Sequence, residues 1–243
     1  MSYRFRNANE RDSGRLRALL DKYDPKFFAE VRQMQFARNQ SEYEDDVIFE
    51  KLVTIYKSRQ VDYNAHKILA FKDYIKPGMK ILDFGGGNGQ IAKFTKDKFN
   101  VDVTVADTVI PKKRENGISY VELKEHDKLP FADQSFDAIC CFMVLHHIKD
   151  RHTIIAELKR VTKTYIFIQE HDAKADDFDI IDLQHGLFMY VLQIDDYDKT
   201  KKFRDWHAYY FNFAQLSKYF NNVKLLRKSN DQTTKNYFAL YEK

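Results

Sequence analysis

Cysteine, proline, glycine and tryptophan are all scarce in this chain of 243 residues: two, four, eight and one, respectively. Two cysteines cannot make a disulfide scaffold. Cys140 and Cys141 are also adjacent in an apolar run, where a bridge between them is geometrically awkward. They read as two reduced thiols in a buried strand, which points to a reducing compartment and a cytoplasmic location. Long apolar runs are missing too. Ala138 to Leu145 is among the longest, far short of the roughly 20 residues that a spanning helix needs. The opening MSYRFRNANERD has no apolar core behind its arginines and does not read as a secretory signal. No internal repeat and no low-complexity linker interrupts the chain.

What is present suits a folded domain. Hydrophobic residues make up 44% and charged residues 31%, enough for both a core and a solvated surface. The length fits one large domain or one domain with an extension. Net charge is 40 − 36 = +4, but it is unevenly spread. Residues 1–80 carry 16 basic and 12 acidic groups, residues 165–198 carry 1 and 9, and residues 199–243 carry 10 and 3. Basic ends flanking an acidic segment could serve a polyanion such as RNA, or could be ordinary solvated surface.

The first 75 residues read as helices. Asp24-Pro25 is a helix start, and Ser41 to Glu44 is a capping box ahead of Val47, Ile48, Leu52, Ile55 and Tyr56 at helical spacing. A third helix is predicted over about Asn64 to Tyr74. Beyond Lys76-Pro77-Gly78 the pattern alternates. Strands are expected at Lys80–Phe84, Val101–Ala106, Ser119–Leu123, Phe136–Phe142 and Thr164–Gln169. Helices are expected at Gln90–Phe99, Arg151–Thr162, Asp176–Leu192 and Phe211–Phe220. Val223–Leu226 and Tyr237–Tyr241 form a closing strand pair. Such alternation predicts a parallel sheet covered by helices on both faces.

Half of the eight glycines fall in ILDFGGGNGQ, Ile81 to Gln90. In a parallel α/β sheet this loop lies at the ligand-binding edge, outside the carboxyl end of the first strand. A dinucleotide fingerprint, G-x-G-x-x-G, fails because its sixth position is Gln90. The pattern present is Asp83, Gly85, Gly87, Gly89. An acid just ahead of the loop repels a pyrophosphate but suits an ammonium or sulfonium. The second strand ends near Asp107, whose carboxylate can accept hydrogen bonds from both ribose hydroxyls. The expected guest is a nucleoside with a cationic, phosphate-free tail.

With these residues the chain resembles the class I S-adenosylmethionine-dependent methyltransferases, in particular the type 11 group. The resemblance is good over roughly Asp73 to Lys163 and loose from there to Lys243. ILDFGGGNG looks like the family's first motif, and Asp107 matches its ribose acid. HDKLPFADQSFDAI, beginning at His126, looks like the family's D-x-x-x-L-P-F-x-D-x-S-F-D stretch. The acid four residues before Leu129, which in the family holds the adenine amino group, is then Glu125. His126 would offer its backbone N–H to the ring. VLHHI, Val144 to Ile148, matches the segment after the fourth strand. The resemblance implies a doubly wound, mostly parallel, seven-stranded α/β sheet of Rossmann-like form. It implies S-adenosylmethionine as cofactor and S-adenosylhomocysteine as product. Residues 1–75 would be a helical lid over the substrate, and residues 76–243 the cofactor-binding domain.

Candidates for the chemistry cluster where strands four and five end. His146 and His147 follow strand four, either as packing residues at the cofactor edge or as participants. Strand five runs into Gln169, Glu170, His171 and Asp172. A histidine beside two carboxylates can be oriented and made more basic, so His171, Glu170 and His146 are the candidate catalytic residues. The same stretch could be a polar loop with Asp172 as a helix cap. His185, among Leu183, Leu187 and Phe188, reads as a core residue. No metal site is expected: His146 and His147 would diverge from one strand end, and Asp176, Asp177, Asp179 and Asp182 read as a solvated helix start. Phe142 to Leu145 lacks the aspartate used by ribose 2′-O-methyltransferases of the heat-shock RNA type, so that mechanism is not supported.

On the substrate side, Arg4, Arg6, Arg11, Arg15 and Arg17 with Phe27, Phe28 and Phe36 could grip phosphate and stack on a base, or form an amphipathic lid. Trp206, Tyr209, Tyr210 and Phe213 read as core packing. Three functions remain open: a methyltransferase acting on an O, N or C nucleophile of a small molecule; an RNA methyltransferase, with the cap as one target; and a non-catalytic binding subunit of the same fold. The intact Asp83, Gly85, Gly87 and Asp107 disfavour the third.

Overall fold

A computed structural model describes residues 67–112, 114–124, 128–172, 209–228 and 236–243. The strands are β1 (Lys80–Phe84), β2 (Asp102–Asp107), β3 (Ser119–Glu122), β4 (Phe136–Phe142), β5 (Thr162–His171), β6 (Val223–Lys228) and β7 (Asn236–Glu242). They form one seven-stranded sheet in the order β3-β2-β1-β4-β5-β7-β6. β1 to β5 run parallel, and β7 is antiparallel to both β5 and β6. This is the doubly wound, mostly parallel α/β architecture expected from the sequence.

Helix α1 (Gln90–Phe99) and helix α2 (Arg151–Val161) cover opposite faces. The strand period of two divides the core between them. Leu82, Phe84, Ile139, Cys141, Ile166 and Ile168 pack with Ile154, Ile155, Leu158 and Val161 of α2. Ile81, Val103, Val105, Ala138, Cys140 and Phe167 pack on the other face with Ala92 of α1. The two cysteines are thus buried, free and on opposite sides of the sheet, which excludes a bridge between them. Burial pushes both thiols well above their ordinary range.

Ile68, Phe71 and Ile75, at the described end of the N-terminal segment, belong to the α1 face. The Phe71 ring stacks on Phe167 at 4.7 Å and on Phe142 at 5.6 Å. The turn that leads into β1 is therefore part of the core.

Several boundaries differ from expectation: β2 runs Asp102–Asp107, β6 reaches Lys228, β7 spans Asn236–Glu242, and the helix expected to Tyr74 ends in a separate 3-10 turn, Lys72–Tyr74. Two further differences concern β5 and the helix before β6. β5 begins at Thr162 and continues to His171, where the sequence suggested Thr164 to Gln169. Its polar end stays extended because Gln169, Glu170 and His171 pair with Phe238, Tyr237 and Asn236 of β7. The expected helix Phe211–Phe220 shrinks to α3 (Phe213–Leu216), capped by Asn212 and followed by a turn. Phe211, Leu216 and Phe220 all reach the α2-side core, and the chain must reverse before β6. The expected features of residues 1–66 and Asp176–Leu192, and the expected roles of Glu125, His126, His185 and Trp206, lie outside the described residues.

Candidate active site

The strand order reverses at β1, which has β2 on one side and β4 on the other. A crevice opens at such a switch point, beyond the carboxyl ends of the strands. The glycine loop fills it. A Cβ on Gly85 would lie 2.4 Å from Val144 Cγ2, one on Gly86 would lie 2.5 Å from Asp83 Oδ2, and one on Gly89 would lie 2.2 Å from Tyr120 Oη. These three glycines are required by the protein's own packing. Gly87 differs: its φ is +55°, and among the described residues a Cβ there would meet nothing within 4 Å. The loop is thus open only at Gly87.

The acids line this opening. Asp107, at the end of β2, accepts the Gly87 N–H on Oδ2 at 2.9 Å and the Val109 N–H on Oδ1 at 3.4 Å. Asp83 is buried, and among the described residues its Oδ2 has no hydrogen-bond partner. Burial pushes the Asp83 carboxyl up to about 7; Asp107 adds to this and Lys67 opposes it. Lys67 is itself buried, which pulls its ammonium down to about 8 against the attraction of Asp83 and Glu170. In a low-dielectric crevice, carboxylates that outnumber their cation favour a cationic guest.

The second half of the site lies beyond Val144. Glu170, buried on β5, accepts the N–H groups of Val144 at 2.9 Å and Leu145 at 2.7 Å on Oε1. Its Oε2 lies 2.6 Å from Nδ1 of the buried His146. Burial holds His146 well below the ordinary histidine range, which favours the neutral ring, and its Nδ1 shares a hydrogen bond with Glu170 Oε2. Burial raises Glu170 to about 7, with His171 and the Leu145 N–H pulling the other way. Glu170 thereby fixes the turn that presses Val144 against Gly85.

His171 closes β5. Its ring centroid is 5.3 Å from that of His146 and 5.7 Å from that of Tyr210. The Tyr209 N–H donates to the His146 carbonyl at 2.6 Å, and Arg151 donates to the Tyr209 carbonyl at 2.7 Å, so residues 209–210 are pinned over the ends of β4 and β5. His146 and His147 lie on a 3-10 turn, and their rings come within 4.4 Å instead of diverging as on a strand. Asp172 accepts the Phe213 N–H at 3.3 Å and pairs with Lys228 at 2.5 Å.

The fold therefore gathers Asp83, Gly85, Gly87, Gly89 and Asp107 on one side of Val144, and His146, Glu170 and His171 on the other. Glu125 and His126 are outside the described residues, but the neighbouring Leu129–Asp133 stretch is held. Arg160 donates to the carbonyls of Leu129 and Phe131 and to Asp133, while Glu157 accepts the Leu129 N–H. Lys67 and Tyr120 escaped the sequence reading. Lys67 is buried and Tyr120 half-buried, and nothing in the local sequence of either names the distant groups it meets.

A family model described as a methyltransferase domain, Methyltransf_23, matches residues 56–228, or 173 of 243. The ubiquinone/menaquinone biosynthesis C-methyltransferase UbiE of Xanthomonas oryzae pv. oryzae is 29% identical over 102 residues, covering 37% of this chain and 40% of that protein. The match thus spans about two fifths of the length of that curated relative. A SAM-dependent methyltransferase from Aquifex aeolicus shares the fold with a TM-score of 0.50 at 17% identity, over 80% of this chain and 97% of that one. Another from Methanosarcina mazei does so with a TM-score of 0.50 at 18% identity, over 71% and 94%. With the family match running over most of its length and this sheet order beneath it, the chain belongs to the methyltransferase domain family, among the class I S-adenosylmethionine-dependent methyltransferases.

Proposed function

We propose that this chain binds S-adenosylmethionine in the crevice at Gly87 and methylates an O, N or C nucleophile of a small-molecule acceptor. The observation that carries the reading is the opening at Gly87, set between Asp107 and a buried Asp83 whose Oδ2 is unpartnered among the described residues. These groups fit the cofactor. Asp107 has acceptor capacity left for ribose hydroxyls. Asp83 suits the cationic methionine tail. Gly87 keeps the cradle free of a side chain, while Gly85 and Gly89 let the loop pack against Val144 and Tyr120 in the form that leaves it open. Glu125 and His126 keep their proposed place at the adenine.

When bound, S-adenosylmethionine supplies a methyl group already activated by its sulfonium. What remains for the protein is mainly to hold and align the reactants. A base is required only for an acceptor that keeps its proton. His171 is the candidate for that role. Both oxygens of Glu170 are committed, to two backbone N–H groups and to His146, so it positions the turn and the imidazole. His146 stays neutral beneath Tyr210.

A small acceptor is favoured by the likeness to UbiE, a C-methyltransferase of ubiquinone/menaquinone biosynthesis. The test is a labelled-methyl assay against small-molecule extract and total RNA, read by mass spectrometry. Label in a small molecule is expected, with His171→Ala cutting turnover at least about tenfold while cofactor affinity holds. Label confined to RNA would overturn the small-molecule acceptor. An unaltered rate in the variant would remove His171 as base.

A further inference from the structure

Tyr120 lies on β3, at the edge of the sheet and two strands away from β1. Its hydroxyl nevertheless reaches the glycine loop. Oη–H donates to the Asn88 carbonyl at 2.8 Å, and Oη accepts the Glu115 N–H at 3.1 Å. The Glu115 N–H also reaches the Asn88 carbonyl directly, at 2.9 Å. One phenolic oxygen thus ties the loop after β1 to the segment after β2. The Arg114 guanidinium lies 5.2 Å from the Tyr120 ring centroid. Gly89 belongs to the same junction, since any Cβ there would occupy the place of the hydroxyl.

Another side-chain anchor of the loop is the bond from Gly87 N–H to Asp107 Oδ2. Asp107 is the group assigned to ribose hydroxyls, so a ligand must share that carboxylate with Gly87. The bond at Asn88 involves no group assigned to the ligand. It can stay in place whether the crevice is empty or filled.

We propose that Tyr120 is a positioning residue for the cofactor, holding residues 87–89 in their open form before binding. The inference rests on the reading of the crevice as the S-adenosylmethionine site. A preset loop spares the ligand the entropic cost of ordering it. Tyr120 acts on backbone and meets no sulfur-bound charge. Its effect therefore falls equally on S-adenosylmethionine and on S-adenosylhomocysteine, which lacks the sulfonium.

Tyr120→Phe tests this, because it keeps the ring, the Arg114 contact and the backbone bond from Glu115 to Asn88. Both compounds are titrated calorimetrically into wild type and variant, and hydrogen exchange of the Glu115 amide is followed without ligand. The expected result is affinity weakened roughly 3- to 15-fold, by the same factor for both compounds, with faster exchange at Glu115. Unchanged affinity, with or without faster exchange, overturns the proposal, as does a loss confined to one compound. If the wild type binds neither compound, the crevice reading falls and Tyr120's role falls with it. Wild-type binding alongside an indifferent variant removes Tyr120 alone.

Discussion

Asp83 carries the clearest tension between stability and binding. Its carboxyl titrates near 7 in the fold, against 3.8 ordinarily, with burial as the largest cause. Between those values the folded protein holds a proton that the unfolded chain has lost. The stability this contributes is full below about pH 4 and is lost as pH rises through 7. Glu170, raised to about 7, acts in the same direction. Asp83→Asn should therefore raise the melting temperature of the ligand-free protein at pH 8 and leave it nearly unchanged at pH 4. Each kcal/mol recovered is worth about 2–4 °C in a chain of this size. A cationic ligand favours the ionised carboxylate, so affinity for S-adenosylmethionine should climb as pH rises to 7 and level off above it. In Asp83→Asn that climb should flatten and the affinity should drop. Scanning calorimetry at pH 4 and 8 and titrations across pH 5–8.5 check both halves. No thermal gain at pH 8 would contradict the burial argument, and an unflattened climb would contradict the role of Asp83.

At the scale of elements, legibility followed burial. β1, β4 and α1 have the bounds their apolar patterns predict, because a parallel strand buried on both faces reads as a continuous apolar run. β5 was read short because Gln169, Glu170 and His171 are polar, and pattern reading assigns polar residues to loops. They remain in the strand because partners distant in sequence satisfy them: β7 for the backbone, and the Val144–His146 turn for Glu170. No local signal announces such a partner. The places of the glycine loop and of Asp107 are legible for the opposite reason, since they are set by local backbone and one strand end. Glu170→Ala tests the link between β5 and the turn after β4. It leaves two backbone N–H groups and a buried imidazole without their acceptor. A loss of about 3–5 kcal/mol is expected in urea unfolding, with weakened cofactor binding as Val144 loosens against Gly85. A cost below about 1 kcal/mol would mean that the turn holds without Glu170.

At the scale of the molecule, the strand order sets everything else. It places the ends of β1 and β2 beside each other and the ends of β4 and β5 next to them, dividing the proposed cofactor side from the proposed acceptor side at Val144. Asp107, proposed for the ribose hydroxyls, also accepts the Gly87 N–H. Two variants separate its duties. Asp107→Asn retains an oxygen for Gly87 but presents an amide in place of one acceptor, while Asp107→Ala removes both. The most direct measurement is calorimetric titration of S-adenosylmethionine into wild type, Asp107→Asn and Asp107→Ala. The prediction is one site per chain in the wild type, with affinity falling in that order and Asp107→Ala losing about 1–3 kcal/mol. No binding to the wild type, or equal affinity in all three proteins, would contradict the account.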